Sequence, residues 1–168
     1  MTAAHSPMLA EARIASPFGT LLLRRTAKGL AELNFPEGRY PPAPLALPEE
    51  PGHPWFLQTQ ALLNAWADFP TDPELPPLDP QGTPFQQAVW RLLLGIPRGS
   101  HTSYGALAQQ LGDARKCRAV GGAVGRNPIG ILIPCHRVLG RDGTLTGFGG
   151  GLAMKCQLLA CEGVGWKA

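Results

Sequence analysis

The sequence has little cysteine, with none before Cys117, and no apolar run long enough to cross a bilayer. Four cysteines without a CxxC pair are too few and too one-sided for a disulfide framework or a structural zinc site. The first residues lack a charged segment followed by an apolar one, so we expect no secretory signal peptide. These absences predict a cytoplasmic protein with free thiols, no membrane association, no bound metal and no cofactor.

Acidic residues are scarce in the second half of the chain. Residues 84–168 carry ten lysines and arginines but only three acidic residues. Residues 1–83 carry five lysines and arginines and nine acidic residues. A basic half can meet a polyanion, so this imbalance favours nucleic-acid binding as one hypothesis. Chance variation between the two halves is the alternative.

Proline and glycine divide the chain at nearly the same place. Thirteen of the 18 prolines lie within residues 36–84, and sixteen of the 21 glycines follow that stretch. Because proline donates no backbone hydrogen bond, the stretch is typical of a connector. We therefore predict an N-terminal α/β domain over residues 1–80 and a second domain over residues 81–168. Apolar runs predict strands within residues 12–35, and helical spacing predicts a helix over residues 56–69.

Helix start signals are clear in the second half. Thr83 and Gln86 can form a capping box around a proline at the first helical position. Ser103 can cap a second helix and Asp113 a third, which together make a candidate helix-turn-helix. The apolar run 129–133 that follows predicts a buried strand.

The third predicted helix begins with basic residues and has small residues in its interior. The basic residues stand where a recognition helix usually makes its contacts: Arg115, Lys116 and Arg118. Further along, Ala119 and Gly122 belong to a surface that is nearly free of side chains. Such a surface favours either close packing against another helix or close approach to a narrow groove, and both interpretations stay open.

Cys135 is the best candidate for chemistry. It leaves an apolar run and is followed by His136 and Arg137, and a neighbouring base or cation stabilises a thiolate. Glu162, at the end of the last predicted helix, could orient His136 and complete a Cys–His–Glu chain. The alternatives are a small buried apolar role for Cys135 and a solvated carboxylate for Glu162.

The stretch from Ala119 to Val138, with its Pro-Cys-His-Arg-Val core, closely resembles the O6-alkylguanine-DNA alkyltransferases. Supporting matches run from Phe85 to Gly163, whereas residues 1–80 match loosely. The resemblance implies an α/β fold. A ribonuclease H-like N-terminal part, made of a small antiparallel sheet with a helix, would precede a winged-helix-like domain that contains the helix-turn-helix. It also implies a monomer that repairs double-stranded DNA in the cytoplasm, at the nucleoid in a bacterium.

The resemblance further implies a mechanism. Cys135 would take the alkyl group from O6-alkylguanine, or from O4-alkylthymine, once per molecule and after base flipping. His136 would deprotonate Cys135 through a water, with Glu162 holding His136. Tyr104 would assist nucleotide rotation and bond the guanine N3. Arg118 would fill the gap that the flipped base leaves in the stack.

The helix-turn-helix would enter the minor groove rather than the major groove. The residues implied at the DNA are Arg118, Arg115, Lys116, Ala119, Gly122 and Arg126. Those implied at the substrate pocket are Tyr104, Val138, Phe148, Gly149 and Asn127. The Val138 carbonyl would accept from the guanine amino group, the Gly149 N–H would donate to O6, and Asn127 would tie the turn before Cys135. Two departures from the family pattern are Phe148, where tyrosine is common, and Gly130, where some members have proline.

Two other functions compete with alkyl transfer. One is a non-catalytic lesion binder, like the family's alkyltransferase-like proteins, although those replace the reactive cysteine that this chain keeps. The other is a thiol hydrolase that uses Cys135, His136 and Glu162, which would leave the basic half without a role.

Overall fold

The computed structural model describes residues 5–167 and begins with a three-stranded antiparallel sheet. Strands β1 (Ala10–Ser16), β2 (Gly19–Arg25) and β3 (Leu30–Asn34) lie in that order, which confirms the strands predicted within 12–35. The tight turn between β1 and β2 uses Gly19 at φ +98°, a conformation that glycine adopts without steric cost. Every residue of β2 from Leu21 to Arg24 is buried, so this central strand is covered on both faces.

One helix packs on this sheet. Helix α1 (Pro54–Asn64) contacts β1 and is capped by His53, whose side chain accepts from the Trp55 N–H. The predicted helix over 56–69 is therefore right in type, but the α-helix starts earlier and ends at residue 64. A 3₁₀ turn (Trp66–Asp68) follows it and buries the Trp66 ring.

Helix α2 (Pro84–Leu94) begins as predicted. The Thr83 side chain accepts from the Gln86 N–H, and the Gln86 side chain accepts from the Thr83 N–H, which completes the capping box. The Trp90 indole on this helix donates to the Ala123 carbonyl at 2.9 Å. This bond anchors α2 to the helix that carries the predicted DNA contacts.

The helix-turn-helix consists of α3 (Tyr104–Gln110) and α4 (Cys117–Gly125), which pack against each other. The third predicted helix is interrupted at its start, because residues 114–116 form a 3₁₀ turn capped by Asp113. Arg115 and Lys116 thus precede the α-helix, while Arg118 lies in its first turn.

The buried strand predicted at 129–133 is wrong, because these residues form a compact turn. Asn127 closes this turn: its Oδ1 accepts from the Ile129 N–H at 3.0 Å and its Nδ2 donates to the Ile133 carbonyl at 2.8 Å. Ile131 takes a positive φ of 71° inside it. The apolar run predicted burial correctly, but the local hydrogen bonds of one asparagine side chain override the extended pattern.

The chain then forms a 3₁₀ turn (Cys135–Arg137), strand β5 (Val138–Leu139) and helix α5 (Leu152–Cys161). β5 pairs in parallel with the short strand β4 (Thr102–Ser103) just before α3. The larger of the two apolar clusters among the described residues contains side chains from either side of residue 80. The structure is thus a mixed α/β fold. The ribonuclease H-like and winged-helix-like descriptions and the domain boundary at residue 80 stay predictions.

Candidate active site

Cys135 lines a cavity with a volume of about 490 Å³. The turn closed by Asn127 delivers it there as the first residue of the 3₁₀ turn, and its side chain is partly exposed. A partly exposed cysteine in the wall of a cavity of this volume is reachable by a small organic group such as a base.

His136 and Glu162 lie behind Cys135 and are fully buried at their side chains. The His136 Nε2 is 2.7 Å from the Glu162 Oε2. Because an ionised carboxylate only accepts, Nε2 carries the proton of the neutral ring, and Nδ1 is the nitrogen that can accept one. No described residue bonds the buried Nδ1. The predicted pairing of histidine and glutamate is thus present in the fold.

Glu162 has two further donors that the sequence analysis missed. The Arg137 Nε donates to Oε1 at 2.6 Å, and the Trp66 indole donates to Oε2 at 3.1 Å. Arg137 in turn bonds the Asp72 carboxylate at 2.8 Å. Trp66 and Asp72 carry no local signal of such a role, since they lie 96 and 65 residues from their partners in the chain.

Burial and charge set the ionisation of these groups. Burial raises the pKa of Cys135, against the hydrogen bond of Asn127 and the charge of Lys155, so the resting thiol is protonated. Burial also lowers the pKa of His136, opposed by the hydrogen bond with Glu162. Burial alone would raise the pKa of Glu162, but the bonds from His136 and Arg137 bring it down to about 2. At neutral pH the site therefore holds a thiol, a neutral imidazole and a carboxylate.

The walls of the cavity come partly from the predicted residues. Tyr104, Arg118, Asn127, Phe148 and Gly149 all line it. Arg118 is exposed, as a residue that contacts DNA must be. Phe148 is buried and supplies an apolar wall. The structure thus brings these five residues together around Cys135.

Another wall comes from the N-terminal half, which the sequence analysis did not assign to the site. Phe35, Arg39 and Tyr40 line the cavity, and Phe35 packs edge-on against Phe148 with ring centroids 5.5 Å apart. The Arg39 N–H donates to the Gly149 carbonyl at 3.1 Å. The loop after β3 therefore braces the loop that was predicted to hold the substrate oxygen.

Lys155 is a second group that the sequence analysis missed. Its buried ammonium donates to the Val138 carbonyl at 2.8 Å, the Thr146 carbonyl at 3.2 Å and the Thr146 Oγ1 at 3.1 Å. Burial lowers the pKa of Lys155 to about 8. The sequence did contain one signal for this role. Lys155 stands three residues before Leu158, so its charge lies on an apolar face of the helix.

Thr146 links Lys155 to Tyr104, whose hydroxyl lies 2.7 Å from the Thr146 Oγ1. Burial raises the pKa of Tyr104, so its hydroxyl keeps its proton at neutral pH. Because Oγ1 accepts from Lys155, its own proton can point to the Tyr104 oxygen. That arrangement leaves the Tyr104 proton available for a substrate nitrogen.

Other predicted residues lie away from the cavity. Val138 is fully buried beneath it, with its carbonyl already bonded to Lys155. Arg115 is 91% exposed and pairs with Asp113 at 3.1 Å. The remaining predicted DNA contacts are exposed, except for Gly122, which is half-buried: Lys116, Ala119, Gly122 and Arg126. The basic residues around α4 thus face solvent.

Within residues 5–167, no group of three or more His, Cys, Asp or Glu side chains could hold a metal ion. In the same range, no helix is both long and apolar enough to cross a membrane.

Comparison with known proteins agrees with this geometry. Residues 84–164 match the model of the 6-O-methylguanine DNA methyltransferase DNA-binding domain. The methylated-DNA–protein-cysteine methyltransferase of Haemophilus influenzae is 42% identical over 150 residues, which cover 88% of this chain and 82% of that protein. This chain belongs to the methylated-DNA–protein-cysteine methyltransferase family. The resemblance inferred from the Pro-Cys-His-Arg-Val core is confirmed.

Two other members of this methyltransferase family extend the match along the chain. The Mycobacterium bovis methyltransferase is 42% identical over 154 residues, which cover 89% of each chain. The Mycobacterium tuberculosis protein, solved in complex with DNA, superposes with a TM-score of 0.83 at 41% identity, covering 92% of this chain and 93% of that one. The likeness therefore includes the N-terminal half, which the sequence motifs matched only loosely.

Proposed function

We propose that this chain repairs DNA directly, by moving the alkyl group of O6-alkylguanine to the sulfur of Cys135 in a single turnover. The observation that carries the proposal is Cys135 in the wall of a cavity of about 490 Å³, next to the buried pair of His136 and Glu162. The names of its relatives support the same activity.

The first step is removal of the thiol proton. The Nδ1 of His136 is the unprotonated nitrogen, and it takes the proton of Cys135 through one water molecule. Glu162 stabilises the resulting imidazolium, because its carboxylate is ionised well below neutral pH. The Lys155 ammonium favours the thiolate, because its positive charge lowers the pKa of Cys135 and so opposes the effect of burial on that pKa.

Transfer then exchanges two bonds. The Sγ of Cys135 attacks the alkyl carbon, the new S–C bond forms, and the electrons of the old C–O6 bond go to the guanine. Tyr104 donates to N3 and the Gly149 N–H to O6, which stabilises the charge that develops on the leaving base. His136 then releases the proton that it took from Cys135 and the guanine anion takes up one proton, so atoms and charges balance. A thioether is not readily cleaved, so each molecule acts once.

The exposed basic face around α4 supports DNA as the partner. The side chains proposed to face phosphates are Arg115, Lys116 and Arg126. Ala119 and Gly122 let the helix approach the minor groove closely, and Arg118 lies at the cavity mouth, where the gap left by a flipped base would be. Phe148 provides the apolar wall for the alkyl group, and Asn127 holds the turn that carries Cys135.

The finer features follow from the same proposal. One cavity with one acceptor cysteine needs no second subunit, which favours a monomer acting at the DNA of the cytoplasm or nucleoid. O4-alkylthymine presents the same alkyl–oxygen bond to Cys135, so we propose it as a second substrate. We also retain the carbonyl of Val138 as an acceptor for the guanine amino group, since a carbonyl has two lone pairs.

The decisive experiment is an intact-mass measurement after incubation with a short duplex that contains one O6-methylguanine. We expect a gain of one methyl group, located by peptide mapping to Cys135. Cys161→Ala serves as the matched control and should still gain the methyl group. An unchanged mass with tight binding to the lesion would indicate a non-catalytic lesion binder instead, and repeated turnover of an ester would indicate a thiol hydrolase.

A further inference from the structure

We propose that Trp66 and Asp72, both supplied by the chain segment before α2, are positioning residues that set the base strength of His136 during alkyl transfer. The inference rests on the proposed function and adds to it two residues from outside the region matched by the family model. Its physical basis is the set of hydrogen bonds around one buried carboxylate.

The Glu162 carboxylate is shared among three donors. His136 and Trp66 both bond Oε2, at 2.7 Å and 3.1 Å, and the Arg137 Nε bonds Oε1 at 2.6 Å. Donors to one carboxylate compete, because each one draws electron density from the same acceptor. The strength with which Glu162 holds the proton of His136 therefore depends on Trp66 and Arg137.

Asp72 acts on Glu162 indirectly, through Arg137. Its two oxygens accept from the Arg137 guanidinium at 2.8 Å and 3.3 Å, and Oδ2 also accepts from the Arg98 N–H at 2.8 Å. Arg137 thus lies between two carboxylates, one buried and one partly exposed. Asp72 offsets part of the arginine charge, which would otherwise act wholly on Glu162 and His136.

The charged and titratable groups that face His136 are Glu162, Arg137, Lys155 and Cys135. Loss of the Asp72 charge leaves Arg137 less compensated, which disfavours protonated His136 and makes it a weaker base. Loss of the Trp66 N–H frees Oε2 to bind the histidine proton more strongly, which makes His136 a stronger base. The two changes therefore act in opposite directions.

The test measures the first-order rate constant of methyl transfer from saturating O6-methylguanine duplex, from about pH 5 to about pH 9, where histidine ionisation governs such profiles. For Asp72→Asn we expect the acid limb to move to lower pH by about half a unit, with a lower plateau. For Trp66→Phe we expect the acid limb to move to higher pH. The fraction of active molecules is read separately from the reaction end point, since each molecule reacts once.

Matched controls are available on the same elements. Asp79→Asn removes an acid of the same connector, whose carboxylate accepts from the Thr26 hydroxyl and lies outside the Glu162 network. Trp90→Phe removes another buried indole, which donates to the Ala123 carbonyl. Neither control should move the acid limb.

Opposite shifts in the two variants support the proposal. Unchanged limbs, with at most a smaller active fraction, overturn it, because a purely structural role changes how many molecules react and not their pH dependence. If Trp66→Phe fails to fold, the partly exposed Asp72→Asn decides alone. A wild-type protein that gains no methyl mass refutes the proposed function itself, which separates the two failures.

Discussion

The residues after position 84 place reactive groups in the cavity and directly behind it, whereas the residues before it place supports around those groups. Cys135, His136, Tyr104 and Arg118 all belong to the region that the family model matches. The N-terminal half contributes an aromatic wall through Phe35 and hydrogen bonds behind the site through its helix end and connector. The contrast indicates that the reactive groups reside in one region and that the other contributes part of their support.

The largest effect should come from the acceptor itself. Cys135→Ala is expected to abolish methyl transfer, because Cys117, the other cysteine that lines the cavity, has no histidine–glutamate pair beside it in the described chain. Binding to lesion-containing duplex, measured by fluorescence anisotropy, should remain. Residual methylation of the purified variant would contradict the assignment, and Cys156→Ala provides a control with full transfer.

Glu162→Gln tests the buried relay. We expect transfer to slow by about two to four orders of magnitude, the usual contribution of a general base, because His136 without the carboxylate no longer forms a stabilised imidazolium. The lowered pKa of about 2 also predicts a signature in stability. The ionised Glu162 stabilises the fold above pH 4.5, and this contribution is lost as the pH falls towards 2.

Chemical denaturation at several pH values can measure that contribution. The wild type should lose unfolding free energy over this acid range. The Glu162→Gln variant, which has no carboxyl group to titrate at this position, should lose less. A parallel decline in both proteins would contradict the ionisation assigned to Glu162.

Arg118→Ala distinguishes a role in base flipping from a role in the alkyl-transfer step. Without the arginine, the cost of unstacking the lesion is no longer offset, so transfer from duplex DNA should slow by about tenfold or more. A free O6-alkylguanine base needs no flipping, and its reaction should change less. Equal losses on both substrates would count against a role in flipping.

Phe35→Ala asks how much the N-terminal wall matters. Loss of its edge-on contact with Phe148 should slow transfer a few-fold, in line with about 1 kcal/mol for an aromatic pair. The exposed Leu57→Ala removes an apolar side chain elsewhere in the same half and should have no effect. A loss as large as that of Glu162→Gln would break the distinction between the two regions.

The smallest effect is expected on the DNA face. Arg126→Ala should reduce the slope of log affinity against log salt by about one, as expected for one phosphate contact. Arg115→Ala should change the slope less, because Asp113 already neutralises part of its charge. Binding titrations at several salt concentrations would test this order, and a larger change for Arg115 would contradict it.

Local patterns predicted much of the fold and the reactive core. Thr83 and Gln86 indicated a helix start, and the Cys135–His136 sequence with Glu162 at a helix end indicated the relay. Residues 129–133 were misjudged because apolarity predicts burial but not backbone shape, which Asn127 decides here. Trp66 and Asp72 were missed because their partners are remote in the chain and are brought near only by tertiary packing.

The position of the Phe35 ring restricts which residue can stand at position 130 in members of this family. A Cβ at Gly130 would lie 2.7 Å from two carbons of the Phe35 ring, so the ring occupies space that only glycine leaves open. A family member with proline at this position must place its aromatic side chain elsewhere or have none there. Positions 35 and 130 should therefore change together among relatives, and grafting either residue alone into another member should disturb its cavity.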